Sequence, residues 1–249
     1  MTRANRKRGR QRARFTPLRA VVRRIAAPAL TVGALLAGGW WLNGALEVQV
    51  WQVEGDASVR AMTEAAMQRL LGGRNDLWHT WPSRVRSALL AEVPDLADAQ
   101  VSRRLDGVLR VRAIARKPVV LWSRDDAVWL VDGQGTPYRP LRKGEWPDLP
   151  LLRMDQDQLT HAIGLLAAIQ RLMASRMARI SEVHHLPHGW KLILSHGEMW
   201  LLPEQDWRDR LPRLAEVLRQ PRWRQRYFRI DARDDRRWYL RLARQQGVI

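Results

Sequence analysis

The chain has 249 residues, with 43 Lys or Arg against 25 Asp or Glu, a formal charge of +18 and no cysteine. Without cysteine it holds neither disulfides nor thiolate metal sites, so packing must stabilise whatever folds. The charge is uneven, since residues 1–24 carry ten Arg or Lys and no acid, leaving 33 basic and 25 acidic residues, a net of +8, in the remainder.

Ile25 to Leu46 follow as 22 positions without a charge. As a helix such a run is about 33 Å long, enough to cross a hydrocarbon core of roughly 30 Å. A basic tail before a span predicts residues 1–24 on the cytoplasmic side and everything after Leu46 outside. Trp40 and Trp41 fall near the outer end, where indoles favour the interface, and Pro28 is tolerable near the inner end. A cleaved signal peptide is the alternative, but the apolar stretch is long for one and Asn43-Gly44-Ala45 is a poor cleavage site. Topology and attraction to anionic lipid then account for the basic tail, and no nucleic-acid partner is predicted.

Beyond the span the pattern is mixed. Glu47 to Val53 reads as a strand ending at the turn signal Glu54-Gly55-Asp56. Ser58 is the expected cap of a helix over Val59 to Leu71, closed by Gly72-Gly73, and a second helix starts near Pro82 and Ser83 and stops at Pro94. Strands are expected at Ala99 to Arg104 and Val108 to Ala115, joined by Asp106-Gly107, a strong hairpin pair because both residues tolerate positive φ. In the second strand Leu109, Val111, Ala113 and Ala115 share one face, and Arg110 and Arg112 the other. The order is β-α-α-β-β.

Short strands follow around Val119 to Trp122, Ala127 to Val131 and Thr136 to Tyr138, with Pro140 to Pro150 as a connecting loop. A helix from Gln156 to Met177 carries Leu159, Ile163, Leu166, Ile169 and Met173 along one stripe. Strands at Ile180 to Leu186, Trp190 to Leu194 and Met199 to Leu202 precede a helix from Asp206 to Arg219 that buries Trp207, Leu211, Leu214 and Leu218. Pro212 inside it predicts a late start or a kink. Tyr227 to Ala232 and Trp238 to Leu242 are the last strands, with Trp238, Leu240 and Leu242 facing one way. Of the thirteen tryptophans, those in strands read as core, and Trp223 reads as the most exposed.

Several stretches together resemble one family. They are Val50-Trp51-Gln52-Val53-Glu54-Gly55, Ala99 to Arg104, Leu109-Arg110-Val111, Arg116-Lys117-Pro118-Val119-Val120-Leu121-Trp122 and Leu130-Val131-Asp132-Gly133-Gln134-Gly135. Leu149 to Leu152, Trp190 to Leu194, Asp206 with Arg210-Leu211 and Arg213, and Ile230-Asp231 with Arg233 continue the series. Their order behind a single apolar run resembles the FtsQ/DivIB family of bacterial cell-division proteins. The chain departs from it at Pro94-Asp95-Leu96, at Ala115 and at Asp234.

The resemblance implies an α+β architecture: a cytoplasmic tail at 1–24, a single N-terminal transmembrane helix at 25–46, a POTRA domain at 47–118, a second mixed β-domain at 119–245 and a tail at 246–249. It implies an inner-membrane, septal scaffold with its C-terminus in the periplasm that recruits division proteins, notably FtsB and FtsL. The alternative is a membrane-anchored POTRA protein handling polypeptides in secretion or outer-membrane assembly. The expected partner-binding residues are Arg210, Arg213, Arg233, Trp238, Tyr239, Leu240 and Arg241. Trp238 to Leu242 would act as a sheet edge that accepts a partner strand, which a proline at Tyr239 would block, while Arg210 and Arg213 would meet partner acids.

No catalytic residues, cofactor or metal are expected. His184 and His185 are neighbours on a strand and point to opposite faces, and His188 and His196 fall in turns. Gly-x-Ser-x-Gly, phosphate-cradling and His-Glu-x-x-His patterns are absent.

Overall fold

The structure, a computed structural model, describes residues 29–41, 47–104, 106–224 and 226–243. Residues 29–41 are helical and largely exposed. The expected span at 25–46 lies partly outside the described residues, among which no helix is long and apolar enough to cross a membrane.

The first unit is a three-stranded sheet in the order β1-β3-β2, formed by β1 (Val50–Gly55), β2 (Leu96–Arg103) and β3 (Val108–Ala115). β1 runs parallel to β3, and β2 runs antiparallel to it. Helices α1 (Ala57–Leu71) and α2 (Pro82–Glu92) supply Val59, Ala66, Met67, Val85 and Leu89 to a core shared with Leu96, Leu109 and Val111. Alternation along β3 decides this arrangement: Leu109, Val111 and Ala113 are buried, while Arg110 on the other face reaches Glu54 at 3.5 Å.

Ser58 is not the cap of α1. The helix starts at Ala57, two residues earlier than expected, and the Asp56 carboxylate accepts a hydrogen bond from the Ala115 amide at 2.8 Å instead of capping. Gly55, the last residue of β1, is obligatory, because at φ +111° a Cβ would sit 2.1 Å from the carbonyl oxygen of Ala113.

The second unit is a nine-stranded sheet in the order β12-β11-β10-β9-β8-β7-β4-β5-β6. Its strands are β4 (Pro118–Arg124), β5 (Ala127–Asp132), β6 (Pro137–Pro140), β7 (Leu151–Arg153), β8 (Ile180–Leu186), β9 (Gly189–Leu194), β10 (Met199–Leu202), β11 (Phe228–Asp231) and β12 (Tyr239–Leu242). Most neighbours are antiparallel, but β4–β7, β7–β8 and β10–β11 are parallel. Helices α3 (Leu159–Met177) and α4 (Trp207–Arg219) build one core with Trp122, Trp190, Trp200, Leu192 and Phe228, and a short α5 (Pro221–Arg224) follows.

α4 begins at Trp207 and stays helical through Pro212, which lies on its exposed side. There the carbonyl left without an amide donor faces water, which moderates the cost. Trp223 is not the exposed tryptophan expected, since it packs edge-on against Phe228 with ring centroids 5.0 Å apart. Trp78, Trp81 and Trp146 are the exposed ones outside residues 29–41.

Only Arg116 and Lys117 separate β3 from β4, and ion pairs bridge the two sheets. Arg116 reaches Asp132 at 2.5 Å and the carbonyl of Leu96 at 3.2 Å. The other oxygen of Asp132 accepts the amides of Gln134 and Thr136, so one carboxylate both shapes the β5–β6 turn and clamps the joint. Nearby, Arg139 bonds Asp95 at 2.6 Å and Glu145 at 2.7 and 2.8 Å, and Arg142 reaches Asp95 at 3.2 Å.

The hydrogen bonds from Arg139 hold the Glu145 carboxyl down at about 2, from 4.5 ordinarily. The unfolded chain therefore binds more protons between these two values, so this pair's stabilisation is complete above pH 4.5 and is lost as the pH falls toward 2. For a side chain 32% exposed, solvent screening reduces the contribution to roughly 1–2 kcal/mol. Glu145→Gln is expected to be less stable than the parent at neutral pH and to lose less stability on acidification. Thermal melts of both forms from pH 6 to pH 2 measure the difference in slope, and parallel curves would refute the assignment.

Candidate partner-binding site

β12 is the last strand of the large sheet and, among the described residues, pairs with β11 alone. The amide of Ala243 bonds the carbonyl of Tyr227 at 2.9 Å, and the register aligns Arg229 with Arg241 and Asp231 with Tyr239. In an antiparallel ladder hydrogen-bonded and non-bonded pairs alternate. Tyr239, Arg241 and Ala243 therefore turn their main-chain groups toward β11, whereas Leu240 and Leu242 present theirs to the open side. A proline at Tyr239 would consequently cut the β11–β12 ladder and leave the outer edge untouched.

Side chains of β12 alternate between the two faces. Trp238 and Leu240 are half-buried against the core, while Tyr239 and Arg241 face the uncovered side of the sheet. Leu242 departs from the expected pattern: although it shares the parity of Leu240, it lies past the edge of the core and is 60% exposed.

Each face of this edge has a hollow. On the helix side a cavity of about 510 Å³ is lined by Asp206, Asp209, Arg210, Arg213, Asp235, Arg236 and Trp238. On the open side one of about 470 Å³ lies among Met199, Leu201, Arg229, Asp231, Tyr239 and Arg241.

The expected arginines differ in position. Arg210 is buried and turned inward, donating to the carbonyl of Ala232 at 3.1 Å and to that of Asp234, and pairing with the Asp235 carboxylate. It is a tie between α4 and the β11–β12 loop, not a surface cation. Arg233 is exposed but engaged, since its guanidinium grips Asp231 through two bonds of 3.0 and 2.7 Å. That grip holds the Asp231 carboxyl below its ordinary value. Within the same loop Asp234 accepts the amides of Arg236 and Arg237 at 2.7 and 2.9 Å, which lowers its own value and fixes the turn.

Arg213 is exposed, and so are Arg229, Arg236, Arg237 and Arg241, which surround the same edge. No acid pairs with any of these guanidinium groups among the described residues. Arg229, Arg236 and Arg237 were not expected at the site; their only sequence signal is the density of arginine between residues 229 and 241. The site thus combines free main-chain groups, two hollows and surplus positive charge. The histidines do not converge: His184 bonds Glu182 at 2.9 Å, His185 leans on Trp190 and His196 stacks on Tyr227.

Residues 120–243, which run from β4 through β12, match the family described as cell division protein FtsQ/DivIB, C-terminal. Cell division protein FtsQ of Myxococcus fulvus is 26% identical over 139 residues, covering 51% of this chain and 49% of that protein. Cell division protein FtsQ of Xanthomonas campestris pv. campestris is 30% identical over 134 residues, covering 53% of this chain and 46% of that protein. The chain thus spans about half the length of the curated relatives it matches. The major extracytoplasmic domain of the cell division protein DivIB from Geobacillus stearothermophilus is similar over 42% of this chain and 92% of that one, at 18% identity and a TM-score of 0.31. By the family match and the relatives that share it, the chain belongs to the FtsQ/DivIB family.

Proposed function

We propose that this chain is a single-pass scaffold of cell division in the bacterial inner membrane. In this reading residues 1–24 lie in the cytoplasm, 25–46 span the membrane, and a POTRA domain (47–118) and a β-domain (119–245) stand in the periplasm. The β-domain binds FtsB and FtsL at the septum, and the protein's role is recruitment, not catalysis. The names of the matching relatives and the basic tail before an uncharged run support this placement.

One observation carries the binding mode: the outer edge of β12, where the main-chain groups of Leu240 and Leu242 have no strand to pair with among the described residues. A partner strand laid there gains main-chain hydrogen bonds, and its alternate side chains enter the two hollows. The unpaired arginines around the edge favour a partner segment rich in Asp and Glu, chiefly by speeding encounter and selecting against basic segments.

Leu242→Pro tests this. It removes one outward amide at an exposed position and leaves the β11–β12 ladder intact. A lost main-chain hydrogen bond and the intruding ring are expected to weaken binding of the FtsB outer segment about 10-fold. Titration calorimetry on the full chain and on the variant, with circular dichroism to show that both fold, gives the comparison. Equal affinities would overturn strand addition at this edge.

A further inference from the structure

Trp78 is 72% exposed and Trp81 is 53% exposed, in the loop between α1 and α2. With Leu77 and Arg84 they line a shallow hollow of about 520 Å³. Two large indoles displayed together on a surface mark a contact site more often than an isolated apolar residue does.

The loop is built to hold them out. One oxygen of Asp76 accepts the amides of Trp78 and His79 at 2.9 and 3.0 Å, and the other meets His79 Nδ1 at 2.6 Å. The buried Thr80 hydroxyl donates to the Asp76 carbonyl at 2.7 Å and accepts from Arg103 at 2.8 Å. With its polar groups engaged from within, the loop pays little ordering entropy when the indoles meet a partner.

Position indicates the partner. Val48 donates its amide to the carbonyl of Asn75 at 2.9 Å, three residues before Trp78, and Gln49 donates to Gly107 at 2.8 Å. The loop is therefore fastened to the segment that follows directly on the uncharged run ending at Leu46. One residue, Glu47, separates Leu46 from Val48, at most about 7 Å of chain. Charge agrees, since Arg74 and Arg84 flank the indoles and are exposed, while the acid between them, Asp76, is already engaged.

We propose that the Trp78–Trp81 loop is a membrane foot, seating its indoles in the headgroup region of the bilayer that residues 25–46 cross. Tryptophan favours that region and arginine favours anionic headgroups. The proposal rests on the reading of residues 25–46 as a span. With two points of attachment, the first unit has a fixed tilt over the membrane instead of swinging on one tether.

Because the chain has no cysteine, single introduced cysteines take an environment-sensitive fluorophore uniquely. The full chain is reconstituted in vesicles of phosphatidylethanolamine and phosphatidylglycerol, with the label at Leu35→Cys, Trp78→Cys, Trp81→Cys or the exposed control Asp157→Cys. The labels at 78 and 81 are expected to shift to the blue and to be quenched by headgroup-level doxyl lipid several-fold more than the label at 157. Arg74→Glu with Arg84→Glu is expected to reduce that quenching. A label at 35 that is quenched by lipid carrying doxyl near the acyl-chain end, with labels at 78 and 81 that behave like the one at 157, overturns the foot and leaves the span standing. An unquenched label at 35 overturns both. No other protein is present in the vesicles, so quenching at 78 and 81 reports lipid.

Discussion

Glu198→Ala is expected to destabilise the large-sheet unit by about 3–5 kcal/mol, because it strands a buried cation. Glu198 is fully buried and Arg176 nearly so, and they meet through bonds of 2.6 and 2.7 Å. The carboxylate also accepts from the Trp200 indole at 3.2 Å, and Arg176 donates to the carbonyls of Arg224 and Arg226 at 3.3 and 3.2 Å. The last turn of α3, the start of β10 and the approach to β11 are thereby locked at one point. Removing one partner leaves an uncompensated charge in the core, whereas removing both leaves none. Arg176→Leu with Glu198→Leu should therefore be less destabilised than either single leucine variant. Urea denaturation of the four forms measures this, and a double variant as unstable as the sum of the singles would contradict it.

Nothing in the sequence announces that pair, and the reason distinguishes what was legible from what was not. Elements driven by local pattern were readable: the alternation of Val108–Ala115, the Asp106-Gly107 turn and the apolar stripe of α3 each depend on neighbours within a few residues. Sheet order does not. β7 sits between β4 and β8, and β10 runs parallel to β11, and no periodicity encodes either choice. Residues 176 and 198 become partners only through that order. The start of α1 is set in the same way: the helix begins at Ala57, which takes Ser58 inside it, and the Asp56 carboxylate at its N-terminus bonds the Ala115 amide of β3. The tryptophans were misjudged because local context does not register the loop that displays Trp78 and Trp81, or the Phe228 ring that covers Trp223. At the proposed binding edge, the strand itself is visible in the sequence as an alternating run. Its being the outermost strand, and which of its amides point outward, required the register.

Arg210 was misplaced although a signal was present: it follows Trp207 by three residues and precedes Leu214 by four, which puts it on the buried stripe of α4. That position makes the last prediction specific. Arg210→Ala deletes the donors to the carbonyls of Ala232 and Asp234 and the partner of Asp235, so the loop leading into β12 loses its tie to α4. A cost of roughly 2–4 kcal/mol is expected from charged hydrogen bonds lost at a buried site. The loss should fall mainly on the loop and β12, where hydrogen exchange at Tyr239 and Arg241, whose amides bond β11, should speed up while β9 amides stay protected. Partner binding should weaken as well, through the edge strand and without the loss of any contact made by Arg210 itself. Arg213→Ala is the counterpart: at an exposed, unpaired position it should change stability by less than about 0.5 kcal/mol. It should act instead on the association rate and its salt dependence. If Arg210→Ala left exchange at Tyr239 and Arg241 unchanged while Arg213→Ala accelerated it, the division between a residue that builds the edge and one that faces the partner would be wrong.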